Sequence, residues 1–217
     1  MNVKELIARR VAQEIPAGAL VNLGIGLPSL VANHLSPDLG VFFQAENGVV
    51  GLGARPPEGM EDINLTDAGG GFVTAVPGAA AIDSAMSFGL IRGGHLDITV
   101  LGGLQVDSRG RLANWMVPGH KVPGMGGAMD LLVGAKKVIV AMAHMNKGTP
   151  KVVPDCTMPL TSTRRIDLLV TEMAVIAPRD DGLHLLETGP GLSVADVRAA
   201  TAADLIVTGD VPQMQIG

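Results

Sequence analysis

Glu46 is the carboxylate whose setting most invites a chemical reading. It follows the apolar run Val41-Phe42-Phe43 and precedes Asn47-Gly48, a dipeptide suited to a turn with positive φ. From Val41 to Gly53 the neighbours are small or apolar, with only Gln44 and Asn47 polar, so the stretch does not read as a solvated face. A carboxylate just past a strand of an open α/β sheet sits where ligands gather. By position alone it could act as base, as nucleophile or as surface charge.

Glycine-rich turns form the second chemical feature. Gly24-Ile25-Gly26 lies between a strand pattern and a helix pattern, as a dinucleotide fingerprint would, but Pro28 and Ser29 break that motif. It is either a tight strand-to-helix turn or a place where backbone amides meet an oxygen-rich anion. Gly69-Gly70-Gly71, Gly93-Gly94, Gly102-Gly103 and Gly124-Met125-Gly126-Gly127 are further loops. The last precedes a helix pattern, so its amides could face a developing oxyanion; plain loop geometry is the alternative for each.

Other chemistries find less support. Of the five histidines, His34, His95, His120, His144 and His184, no two are spaced i, i+4, and there is no cysteine cluster, so no metal site is expected. The single cysteine, Cys156, has no basic residue adjacent and reads as a buried structural thiol. One cysteine cannot form an intrachain disulfide, which suits a reducing cytoplasm. A net charge of −5, no tyrosine and no basic stripe argue against nucleic-acid binding. The N-terminal residues lack a signal-peptide apolar region, and no apolar run approaches the roughly 20 residues of a membrane span.

The elements that position these residues follow from periodicity. Val3, Ile7, Val11 and Ile15 recur every four residues as on an amphipathic helix, stopped by Pro16. Strands are expected at 20–23, 41–43, 97–101 and 137–142. Helices are expected at 29–34, 79–91, 128–133 and from a capping-box-like Ser193-Val194-Ala195-Asp196 to about Asp204. Residues 104–106 and 112–114 flank a turn at Ser108-Arg109-Gly110, and Asp181-Gly182 marks a hairpin. Strands alternating with helices predict an α/β fold: a mostly parallel open sheet with flanking helices and added antiparallel strands, as one domain over 1–217.

Several stretches taken together carry a resemblance. Glu46-Asn47-Gly48-Val49-Val50-Gly51-Leu52-Gly53 resembles the signature of the β subunit of 3-oxoacid CoA-transferases. Val21-Asn22-Leu23-Gly24-Ile25-Gly26-Leu27-Pro28, Pro77-Gly78-Ala79-Ala80, Arg92-Gly93-Gly94-His95-Leu96-Asp97 and Leu101-Gly102-Gly103-Leu104-Gln105-Val106 follow in family order. So do Leu112-Ala113-Asn114-Trp115, Val122-Pro123-Gly124-Met125-Gly126-Gly127-Ala128-Met129-Asp130 and Cys156-Thr157-Met158-Pro159-Leu160. One departure stands beside the glutamate: Ala45 replaces the family's usual serine.

The resemblance implies a CoA-transferase on a fold shared with sugar-phosphate isomerases. It makes Glu46 the nucleophile that carries a glutamyl-CoA thioester, Gly127 an oxyanion donor and Asn22 a side-chain amide near the reacting carboxylate. Gly24, Gly26, Asn47, Gly124 and Gly126 become substrate- and CoA-binding positions. Coenzyme A is then a substrate, with no permanently bound cofactor. The partner implied is an α subunit in a hetero-oligomer, α2β2, that is cytoplasmic and acts on acyl-CoA and small acids such as acetoacetate. A 3-oxoadipate transferase and a non-catalytic acyl-CoA-binding subunit are the alternatives.

Overall fold

In a computed structural model of the chain, residues 2–119 and 124–216 are described. His120, Val122 and Pro123, named above, lie outside them. Helix α1 (Val3–Ala12) opens with the Asn2 side chain accepting from the Glu5 amide, and its Ile7, Ala8 and Val11 are buried. Next come β1 (Leu20–Leu23), β2 (Phe42–Gln44), β3 (Val49–Leu52) and β4 (Ala75–Ala81), then α2 (Ser84–Arg92). The rest is β5 (Ile98–Leu101), α3 (Ala128–Gly134), β6 (Lys137–Ala141), β7 (Leu168–Val170), β8 (Ala174–Arg179), β9 (Gly182–Thr188), α4 (Val194–Ala200) and β10 (Leu205–Ile206).

These strands form one ten-stranded sheet in the order β10-β9-β8-β7-β6-β5-β1-β2-β3-β4. The centre, β7-β6-β5-β1-β2, is parallel. Antiparallel strands extend both sides: β3 and β4 beyond β2, and β8 and β9 beyond β7. The expected fold class therefore holds. Alternate residues of the central strands enter two apolar cores. Ile98, Val100, Ile139 and Ala141 pack with α1, while Leu101, Val138, Val140 and Leu169 pack with α2 and α3. Burial on both faces is what a parallel centre requires. A smaller sheet holds Gln105–Asp107, Leu112–Ala113 and Val152–Val153.

Three expectations need correction. The stretch expected as helix from Ala79 is strand β4 up to Ala81; α2 starts at Ser84, where the Asp83 side chain accepts from the Met86 amide. Alanine favours helices in isolation, but here its small side chain lets β4 cross close to β3: a Cβ on Gly51 would lie 2.8 Å from that of Ala79. The segment after β1 is a 3-10 helix, Pro28–His34, rather than α-helix. Helix α4 stops at Ala200, short of Asp204, although the capping box at Ser193 and Asp196 forms as expected.

The chain runs from β1 to β2 on one side and returns as β5 on the other. That reversal opens a crevice beyond the carboxyl ends of β1 and β5, next to the turn that follows β2. Three segments leave from this edge: Gly24-Ile25-Gly26, Ala45-Glu46-Asn47-Gly48 and Gly102-Gly103.

Candidate active site

Glu46 sits in a reverse turn between antiparallel β2 and β3. The Gly48 amide donates to Ala45 O at 3.0 Å and the Ala45 amide to Val49 O at 2.8 Å. Gly48 has φ +122°, and a Cβ there would lie 2.0 Å from Ile82 O, so only glycine lets the turn close against the segment leading into α2. The turn projects a half-buried Glu46 into a cavity of about 770 Å³. Gly24, Ile25, Gly26, Ser29, Leu52, Arg55, Asp67 and Phe72 also line it. Arg55 is the one cation among the described lining residues.

Beneath the carboxylate lies a buried amide. Asn22 Nδ2 donates to Glu46 Oε2 at 3.1 Å, to Gln44 O at 3.0 Å and to Gln44 Oε1 at 3.1 Å. Asn22 stands beside Gln44 in the β1–β2 register, which brings them together. On another side, Gly127 is buried at the start of α3, and a Cβ there would lie 3.2 Å from Glu46 Cγ and 3.3 Å from Phe88 Cζ. Arg92 stacks over Phe88 and donates to Asp130 at 2.7 Å, tying α2 to α3 beside this contact.

The structure thus gathers Glu46, Asn22 and Gly127, with Gly24 and Gly26 on the cavity wall. Gly24 N bonds to Val100 O at 2.8 Å, closing β1 onto β5. Gly26 has φ +89° with open space around it, so backbone conformation, not crowding, demands glycine there. Asn47 is placed differently: it is exposed and its amide donates to Thr66 O at 2.8 Å, pinning the loop above β3. Gly124 and Gly126 have positive φ, are exposed and lie outside the described cavity lining.

The Gly69-Gly70-Gly71 loop does not offer free amides. Gly69 N and Gly71 N both donate to Asp67 Oδ1 at 2.8 Å, and Gly70 N donates to Asp67 O. Cys156 is half-buried rather than buried; its thiol faces Arg111 O at 3.6 Å. Burial first, then the charge of Asp107, pushes that thiol up to about 12, so it is a poor nucleophile. Among the described residues no group of three or more His, Cys, Asp or Glu could hold a metal, and no helix is long and apolar enough to cross a membrane. Sequence reasoning met Gln44 only as a polar neighbour of Glu46 and gave neither Gln44 nor Ser87 a place in the site. The available signal was their polarity in otherwise apolar elements.

A turn-borne carboxylate fixed by a buried amide, with a glycine backbone against it, suits covalent acyl chemistry. The model of the coenzyme A transferase family matches residues 4–200. The β subunit of the acetate CoA-transferase of Haemophilus influenzae is 51% identical over 217 residues, covering 100% of this chain and 97% of that protein. The chain belongs to the coenzyme A transferase family. The corresponding subunit of the succinyl-CoA:3-ketoacid coenzyme A transferase of Helicobacter pylori is 48% identical over 94% of this chain and 99% of its own length. Like these relatives, this chain is the β subunit of a CoA-transferase, moving CoA between an acyl-CoA and an acid.

Solved structures agree on the fold. The acyl-CoA transferase YdiF of Escherichia coli O157:H7 superposes with a TM-score of 0.80 at 24% identity, over 99% of this chain. This chain spans only 43% of that longer one. The decarboxylase AibA/AibB superposes with a TM-score of 0.74 at 21% identity, covering 99% of this chain and 89% of that one. A shared scaffold thus carries a differently named activity, and the transferase assignment rests on the family match.

Proposed function

We propose that this subunit transfers CoA through a glutamyl-CoA thioester on Glu46. The observation that carries the reading is the Asn22–Glu46 hydrogen bond, which aims a turn-mounted carboxylate into the cavity. The Glu46 carboxylate attacks the thioester carbonyl and expels CoA thiolate, leaving a mixed anhydride. The thiolate then attacks the glutamyl carbonyl and releases the donor acid, leaving Glu46 bonded to CoA sulfur. The acceptor carboxylate repeats both displacements in reverse, so atoms and charges balance. Splitting the exchange into matched halves suits a carboxylate, because every intermediate is an acyl group on oxygen or sulfur.

Each displacement passes through an oxyanion, and one preorganised donor is worth about 3–4 kcal/mol there. Gly127, against Glu46 Cγ, is the backbone candidate for that role. Gly24 and Gly26 leave room for the thioester end of CoA. Gly124 and Gly126 shape the loop before Gly127, and Asn47 acts through the turn it pins. The substrates we infer are succinyl-CoA or acetyl-CoA with a 3-oxoacid such as acetoacetate; the relatives include an acetate CoA-transferase and a succinyl-CoA:3-ketoacid coenzyme A transferase. CoA enters as substrate, with no resident cofactor in the scheme.

The whole chain acts as one domain and, in this reading, docks an α subunit to give a cytoplasmic α2β2 enzyme. Exposed Ile25, after β1, and Phe72, at the cavity, with Met60 and Ile63 in the same β3–β4 excursion as Phe72, supply apolar surface for that partner. The test is to incubate the assembled protein with acyl-CoA, trap with borohydride or hydroxylamine, and map the label. Label on Glu46, lost in Glu46→Ala, is the expected result. Label elsewhere, or full turnover in Glu46→Ala, rejects the scheme; full turnover by this chain alone rejects the divided site.

A further inference from the structure

A row of buried polar side chains crosses the centre of the sheet. Register places Thr99 of β5 beside Asn22 of β1, and Asn22 beside Gln44 of β2. Their sequence neighbours Val21, Phe43, Ile98 and Val100 belong to the core on the α1 side, so the row faces α2. Ser87 of α2 meets it. All four side chains are buried, Ser87 and Thr99 completely. Polar groups are retained in such a place at a cost unless their bonds are satisfied.

Thr99 Oγ1 and Asn22 Oδ1 are buried without a partner among the described residues, but the bonds of Asn22 Nδ2, Gln44 and Ser87 form a continuous path from the cavity into the helix layer. Glu46 Oε2 accepts from Asn22 Nδ2, and Gln44 Oε1 accepts from the same amide. Gln44 Nε2 donates to Ser87 Oγ at 2.8 Å and to Ala45 O at 3.0 Å. These partners dictate both amide orientations. Turning Asn22 over would set its oxygen against Gln44 O, Gln44 Oε1 and Glu46 Oε2. Turning Gln44 over would oppose two donors at Asn22 and two acceptors at Ala45.

We propose that Gln44 and Ser87 are positioning residues for the nucleophile, Gln44 holding the Asn22 amide toward Glu46 and the Ala45 carbonyl in the turn, with Ser87 anchoring Gln44 to α2. This rests on the reading of Glu46 as nucleophile. Gln44 acts on the carboxylate twice over. Through Asn22 it fixes one oxygen; through Ala45 O, which also accepts from Gly48 N, it fixes the backbone that carries the side chain. Neither residue needs to touch substrate.

The test uses the enzyme assembled with its α subunit, in the variants Gln44→Met and Ser87→Ala, the first of nearly equal volume and the second the milder change. The rate of thioester formation on Glu46 is followed by rapid quench and mass spectrometry, alongside kcat and KM. Displacing a reacting group by about 1 Å costs on the order of 100-fold, so Gln44→Met should slow adduct formation and kcat about 10- to 100-fold. Ser87→Ala should fall between Gln44→Met and the unaltered enzyme. KM and the final adduct stoichiometry per chain should stay within about twofold, which separates slow competent sites from a misfolded fraction. An adduct rate within about twofold of the unaltered enzyme in both variants would overturn the positioning role. So would a loss of rate matched by an equal loss of stoichiometry. Absence of any adduct on Glu46 in the unaltered enzyme would instead bring down the nucleophile reading, and this role with it.

Discussion

Replacing Asn22 tests how much the buried amide contributes to turnover. It donates to Glu46 Oε2 at 3.1 Å from a side chain almost wholly out of solvent. Asn22→Leu keeps roughly the volume and removes the donor. A hydrogen bond to a charged group contributes about 1.5–3 kcal/mol, which at about 1.4 kcal/mol per decade is a loss of about 10- to 150-fold in kcat. Asn22→Asp keeps the shape but sets a second carboxylate against Glu46. Two like charges about 4 Å apart at an effective dielectric near 20 repel by about 4 kcal/mol, so the combined loss should exceed about 10³-fold. The assay is CoA transfer by the reassembled enzyme at neutral pH, with thermal melts to establish that each variant folds. The order Leu above Asp is the decisive feature. An Asp variant within tenfold of the unaltered enzyme, or a Leu variant with unchanged kcat, refutes the claim that this amide orients the carboxylate.

Three further outcomes are expected. Gly127→Ala keeps an ordinary φ of −84° but brings a methyl to 3.2 Å from Glu46 Cγ, so kcat should fall about 10- to 100-fold while the melting temperature moves little; steady-state kinetics and a thermal melt check both. His144 is fully buried between Thr171 Oγ1 and Thr201 Oγ1, each 2.9 Å away, and burial, then the Lys151 charge, lowers its pKa from 6.5 to about 4. Because the folded value is depressed, its contribution is complete above the unfolded value and is lost as pH falls toward 4, about 3 kcal/mol in all; urea unfolding of the parent and of His144→Gln across that range should show the slope in the parent and a flatter one in the variant. Arg164 Nη1 donates to Leu132 O, Val133 O and Ala135 O, and Nη2 to Lys136 O, at 2.6–3.2 Å, closing the carboxyl end of α3. Arg164→Met should destabilise by about 2–4 kcal/mol in denaturant titrations, with activity per folded molecule preserved.

Much of the fold was legible because the signals were local. The four-residue period of Val3 to Ile15 gives helix α1, though it ends at Ala12, short of Pro16. The Ser193 capping box forms where expected, and the β8–β9 hairpin turns at Asp180-Asp181, one residue before the expected Asp181-Gly182. Legibility failed at 79–81, where three alanines, good helix formers in isolation, end an edge strand because β3 offers them a ladder. It also failed at 28–34, where Pro28 opens a 3-10 helix instead of an α-helix. Within the site, the motif around Glu46 named the carboxylate and the glycine of its turn. It did not distinguish Asn47, which bonds to Thr66 O, from residues facing the cavity.

Sequence alone determined what depends on a few neighbouring residues: that Glu46 rides a turn closed by a glycine, that strands feed glycine loops, and that the chain carries the motif series of a CoA-transferase β subunit. Tertiary structure decided which distant groups meet that carboxylate. Strand register set Asn22 beside Gln44, the packing of α2 against the sheet brought Ser87 beneath them, and the start of α3 laid Gly127 on the side chain. Those contacts arise because both faces of the parallel centre must be buried, and burial in three dimensions pairs residues that no local spacing relates.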